Sequence, residues 1–342
     1  MDPDPVRVIG RNREGFVIVY LALALLAMIG FLGLTIDLGH LYLVRGELQN
    51  AADASALAGA ALLYADPLTP HGVTLDLGRA RAAATGFITQ NSSDGTALAD
   101  GAITAGCWNR ITEQKEPCAT LPPEEPQAAA VFAIVARSAG NNGGAVRNFF
   151  ATAVGVAESP VSSREAAATV AFIGSVPGGV LFPMALPSCM TDHYFSRTPL
   201  PAPPITITIP SRYAAGGSGC YTGQWSSFQN DLPDIDPLLS GGNPDSLKRD
   251  DLVWIQPLVT PSPYPNVVVN RDVLMAIVDS ASGDSSSHGQ MAIKGFATYH
   301  IDSVNQAGHS IAGYFIDYYA TYPGAGPGGA LSNSITPPRM VQ

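Results

Sequence analysis

The stretch FVIVYLALALLAMIGFLGLTI, Phe16–Ile36, continues without a turn into DLGHLYLVRGELQNAADASALAGA, Asp37–Ala60. Its first part is uncharged, and roughly 21 residues at about 1.5 Å each cover about 31 Å, the depth of a bilayer core. The second part keeps the helical composition but is striped. Leu41, Val44, Leu48, Ala52 and Ser55 recur at three- and four-residue steps, one narrow apolar face for a partner helix or for a folded body. A single helix is therefore expected from about Phe16 to Leu63, stopped by Tyr64-Ala65-Asp66-Pro67, where proline cannot continue it. Alanine and glycine elsewhere on the rod permit close approach from several sides.

Arg7, Arg11 and Arg13 precede the apolar run, and within about fifteen residues after it only Arg45 appears. That bias predicts a cytoplasmic N-terminus and an exported remainder. A cleaved signal peptide would have a shorter apolar core followed by a small-x-small site. Here Thr35-Ile36-Asp37 follows the run, and Ala56-Leu57-Ala58 lies far too deep, so a retained anchor is expected. Asp37 either ends the span at headgroup level or pairs with the anchor of a neighbouring subunit.

The formal net charge is −10, pI is about 4.9, and no basic stripe occurs, which argues against nucleic acid as a partner. Gly 35 and Pro 28 in 342 residues, with 13% charged residues, predict a loop-rich body. The four cysteines, Cys107, Cys118, Cys189 and Cys220, fit an oxidising compartment. Neighbour pairing is taken among three connectivities, worth about 3 and 4 kcal/mol in the chain-entropy model. No Cys-x-x-Cys occurs, which argues against zinc or thioredoxin-like chemistry.

The fold class expected is α+β. A cytoplasmic segment (1–15) and a transmembrane helix (16–36) lead into a rod helix and α+β unit (37–175). A mainly β, loop-rich exported domain (176–321) follows, then a flexible tail (322–342). Within the α+β unit, Arg79–Gln90 reads as a helix, Thr96–Ala105 and Ala129–Ala136 as strands, Val146–Val154 as a short helix and Val161–Ile173 as a strand. Val176-Pro177-Gly178-Gly179 marks the boundary. Beyond it, Ile205–Ile209, Val267–Val278, Ala292–Ile301 and Ser310–Tyr319 are expected strands.

Motifs of catalysis are missing: no P-loop, no dinucleotide fingerprint and no His-Glu-x-x-His occurs. Gly216-Gly217-Ser218-Gly219 lacks nucleophile-elbow spacing. Asp231, Asp234 and Asp236 lack the spacing of a calcium loop and read as a solvated acidic turn, with a weak divalent site as the alternative. His193 beside Asp192, and His300 near Asp302, lack a second ligand motif. Trp108, Trp225, Trp254, Tyr314, Tyr318 and Tyr319 read as core and turn anchors rather than as a binding surface. No cofactor, metal or small-molecule substrate is predicted, and the chain is read as no enzyme.

The string Arg13-x-Gly15, apolar span, Asp37-x-Gly39-x-x-Tyr42-x-x-Arg45-x-x-Leu48-Gln49-x-Ala51-x-Asp53-Ala54-x-Ala56-Leu57-Ala58-Gly59 resembles the N-terminal region of TadG-like proteins of the Tad (Flp) pilus assembly system. More loosely, Phe149-Phe150-x-x-x-Val154-Gly155 looks like a later part of such proteins. The resemblance implies a single-pass inner-membrane protein with a periplasmic body, serving assembly or presentation of tight-adherence pili. It implies other Tad components and pilins as partners, and a homo-oligomer through the N-terminal helix. Asp37, Tyr42, Arg45, Leu48, Gln49, Asp53 and Leu57 become candidates for partner contact. Flp-type prepilins carry Glu five residues after the cleaved Gly. The fifth residue after Gly15 is Tyr20, which argues against prepilin processing. The alternative function is a minor pilin or adhesin carried on the filament.

Overall fold

One helix, α1 (Glu14–Ala61), runs unbroken for 48 residues, about 72 Å at the usual rise. In this computed structural model the described residues are 14–64, 75–119, 123, 125–195, 207–210, 223–256, 263–279, 288–316, 320–329 and 332–341. The two halves of α1 differ as their sequences do. From Phe16 to Leu38 the large apolar side chains stand exposed, whereas Val44, Leu48, Ala51, Ala52, Ser55, Ala56 and Ala60 are buried in the chain's own core. The stripe thus serves the folded body.

A second helix, α2 (Leu77–Ile88), starts where the Asp76 carboxylate accepts from the Arg79 N–H at 2.8 Å. It buries Ala80, Ala84 and Ile88, and Ser55 Oγ donates to the Ala84 carbonyl at 2.8 Å. Close approach here depends on small residues. A Cβ on Gly59 would meet Val131 at 2.9 Å and the Ala80 carbonyl at 3.0 Å.

Strands β1 (Ala102–Asn109), β2 (Gln114–Glu116) and β3 (Gln127–Ile134) come next. A short hairpin, β4 (Val146–Arg147) and β5 (Glu158–Ser159), precedes β6 (Ala166–Val170). There follow β7 (Leu181–Pro187), β8 (Ile207–Pro210), β9 (Gln224–Phe228), β10 (Leu252–Ile255), β11 (Arg271–Val278), β12 (Gly289–Asn305) and β13 (Ser310–Phe315). The last is β14 (Arg339–Val341).

The first sheet has the order β14-β6-β3-β1-β2 and is antiparallel throughout. Its central strands are alanine-rich, Ala128-Ala129-Ala130 in β3 and Ala166-Ala167-Ala168 in β6, so α1 can lie close on one face. The second sheet has the order β8-β13-β12-β10-β9-β7-β11, and β11 pairs back onto β12, closing five strands into a ring. Trp225, Phe228, Phe296, Tyr299 and Phe315 fill its core.

The architecture is the expected α+β, a long apolar-ended helix followed by a mostly β chain. Four local expectations need correction. Thr96–Ala105 is not one strand: Thr96–Ala97 pairs with Ser92–Ser93, and β1 starts only at Ala102. Val146–Val154 is not a helix: after β4 there is only one 3₁₀ turn, Ala151–Val154, ended by Gly155 at φ 90°. Phe149, Phe150 and Val154 are exposed, so no buried face supports a longer helix. The Val161–Ile173 segment is broken into Val161–Ser162, β6 and Ile173–Val176, which pair with different neighbours. The described residues of 322–342, expected as a flexible tail, instead pair back. Ile335 bridges Phe172, and Met340 lies opposite Ala168.

Candidate functional site

The exposed-to-buried transition on α1 carries two constellations. On one face Asp37, only 3% exposed, receives a loop from far along the chain. Its Oδ1 accepts from the Phe149 N–H at 2.8 Å and the Phe150 N–H at 3.2 Å. Its Oδ2 accepts from Phe150 at 3.0 Å and Ala151 at 2.6 Å. The carboxylate therefore caps the start of the 3₁₀ turn, satisfying N–H groups that have no intrahelical partner. One turn earlier Gly33 admits the Phe150 side chain, where a Cβ would stand 2.8 Å from it. One turn later the His40 and Phe149 rings lie 5.2 Å apart.

The same face is braced higher up. Asp94, in the turn between Ser92–Ser93 and Thr96–Ala97, takes His40 at 3.0 Å and the buried Arg137 at 3.4 Å, and its N–H donates to Glu47 at 2.7 Å. Asn142 accepts from the N–H groups of Ala99 and Asp100 and donates to the carbonyls of Asp100 and Ala136. The Asp94 turn, between α2 and β1, is thus tied to the emerging helix, and the loop after β3 is tied to that turn and to the segment before β1.

About half a helical turn round, Tyr42, Arg45, Gly46, Gln49 and Asp53 line an open groove of about 720 Å³ with Arg164, Glu165, Met340 and Val341. Tyr42 is 71% exposed. Gln49 donates to Asp53 at 2.8 Å and accepts from the Arg164 N–H at 2.9 Å, so it fixes one wall. The groove offers both charge signs, a phenol ring and the apolar ends of β14, which is the edge strand of its sheet. It is suited to a protein surface more than to a small molecule.

The sequence-derived residues therefore divide. Tyr42, Arg45, Gln49 and Asp53 come together in the groove. Leu48 is fully buried, Leu57 packs half-buried on the same core, and Asp37 serves the chain's own loop. Cys107 and Cys118 are bonded, and Cys189 is disulfide-bonded. Cys220, Gly216–Gly219, His71, Tyr318, Tyr319 and residues 1–13 lie outside the described residues, as does the side chain of His193.

The acidic turn does not converge on one point. Asp231 takes His288 at 2.7 Å and Gln256 at 2.7 Å, and those hydrogen bonds hold its carboxyl below the usual range. Asp234 accepts from the Asp236 N–H, and Asp236 accepts from Asn266. His300 meets Asp272 across the sheet at 2.7 Å and stacks on Tyr314. Among the described residues no group of three or more His, Cys, Asp or Glu is placed to hold a metal. Trp225 is core, and Trp254 stacks on His288.

Sequence reasoning did not find Phe149, Phe150 or Asp94 as partners of the helix, nor Arg137 as the residue that holds Asp94. The one available signal was the Phe-Phe pair ahead of Gly155, an apolar doublet in an otherwise uncharged loop.

These features define a class: a chain whose first helix is long and apolar enough to cross a membrane at one end and forms the spine of a folded body at the other. Residues 15–62, which coincide with α1, match the Tad family model of TadE/G-like proteins of Flp pilus assembly. The match is to this helix, residues 15–62 of 342. No curated protein and no solved structure matches the chain.

Proposed function

We propose that this protein is a membrane-anchored, non-enzymatic component of Tad/Flp pilus assembly, with α1 crossing the inner membrane once. The N-terminus stays in the cytoplasm and the chain from residue 37 onward works on the periplasmic side as two units divided near residue 176, with β14 returning to the first. The groove of Tyr42, Arg45, Gln49 and Asp53 docks another component of the system. The observation that carries this reading is the division of labour within the family-matched helix. Its apolar half is bare, its striped half is core, and its remaining motif residues gather at one accessible groove.

The test is recovery of other Tad components with the tagged protein from solubilised inner membranes. Tyr42→Ala with Arg45→Glu is expected to lower recovery about tenfold, equivalent to ~1.4 kcal/mol, with the thermal midpoint unchanged. Undiminished recovery from a folded double variant would remove the groove from the interface. Enrichment of the wild-type protein in sheared filaments would favour a minor pilin or adhesin instead.

A further inference from the structure

The tip of the β4–β5 hairpin, Asn148–Ala157, reads NFFATAVGVA and carries no charge, while Arg147 and Glu158 face each other at its base. Phe149 is 65% exposed, Phe150 48% and Val154 80%, an apolar cluster that the described residues leave largely uncovered. Its height is fixed by α1. Phe150 packs on Gly33, which lies three residues inside the apolar run ending at Ile36, about 4.5 Å below its end. The exposed aromatics therefore continue the bare apolar surface of the helix sideways, at the level where that surface stops.

The backbone of this tip is also prepared for a dry environment, where an unpaired N–H or C=O is costly. Asp37 takes the N–H groups of Phe149, Phe150 and Ala151. Ala153, Gly155 and Val156 donate to Phe150, Thr152 and Ala151, and the Asn148 N–H donates to Ala157. Asn148 Nδ2 donates to the Val156 carbonyl, and Thr152 Oγ1 to that of Asn148. Most of the tip's N–H groups are thereby paired within the chain.

We propose that the Asn148–Ala157 hairpin tip is a second membrane contact, dipping Phe149, Phe150, Val154 and Val156 into the headgroup–acyl boundary of the leaflet that faces the body. It crosses nothing. By touching lipid at a second point, it sets the tilt and rotation of the body on its single anchor, with the groove held at a fixed height above the surface. The inference rests on the reading in which α1 spans that bilayer.

The experiment places the photoreactive residue p-benzoylphenylalanine at 149 or 154 in the full-length protein reconstituted into phosphatidylethanolamine–phosphatidylglycerol vesicles. Position 26, within the span, and position 252, an exposed leucine of the second sheet, are the references. Lipid adducts on the peptides carrying 26, 149 and 154, with none at 252, are the expected result. Adducts at 26 without any at 149 or 154 overturn the second contact and leave the anchor standing. No adduct at 26 overturns the anchor and the inference with it. Protein adducts in place of lipid at 149 make the tip a protein interface and also overturn it.

Discussion

Asp37 is the residue on which the account turns. Its position just past an uncharged run was legible as the end of a span, but its partners lie more than a hundred residues away in sequence. No local spacing announces three backbone N–H groups. Replacement by leucine is expected to expose the amides of Phe149, Phe150 and Ala151 to hydrogen exchange while those of β3 stay protected. Asparagine, which keeps one acceptor oxygen, should retain part of the protection. Exchange rates unchanged in the leucine variant would show that the loop holds its turn unaided. Leu48 and Tyr42 make a second residue-scale contrast, because the motif contains both and the structure separates them. Leu48→Ala, fully buried, should cost about 2–5 kcal/mol in chemical unfolding. Tyr42→Ala should lie within about 0.5 kcal/mol, as an exposed side chain does. Equal costs for the two would contradict the assignment of the core face.

At the scale of elements, α1 and α2 were readable because helical periodicity persists over many residues and an N-cap or a proline marks the ends. The strands were readable in proportion to their alternation. Leu181-Phe182-Pro183-Met184-Ala185-Leu186-Pro187 does not alternate, since β7 is buried along its whole length between β9 and β11, and Pro183 falls where its register shifts. Gln224–Phe228 failed for the opposite reason, as a fully buried strand built on polar Gln224, Ser226 and Ser227. The β1–β2 end of the first sheet is stapled by Cys107–Cys118, 11 residues apart. Replacing both by serine should cost about 3 kcal/mol, read as a lower midpoint in denaturant. A midpoint equal to that of the oxidised protein would show the staple to be dispensable.

Over the whole molecule, the chain returns to its start. After the second core is complete, Ile335 enters the first core, and β14 forms its edge beside α1 and the groove. Composition alone marked this segment as loose, because Gly, Pro and Ser dominate it, and the pairing that orders it is entirely long-range. Ile335→Ala is expected to lower stability by about 2–5 kcal/mol. Deletion of residues 332–342 should leave the β6 edge unpaired and the protein prone to self-association on a sizing column. A monodisperse truncated protein would show the returning strand to be peripheral.

The central claim is that α1 roots this body permanently in the inner membrane as part of a pilus-assembly machine. Intact mass and N-terminal sequencing of the protein from separated inner-membrane and sheared-filament fractions test it most directly. The account predicts an uncut chain confined to the membrane fraction. A chain shortened after Gly15, or enriched in the filament fraction, would contradict it and make the protein a subunit that leaves with the pilus.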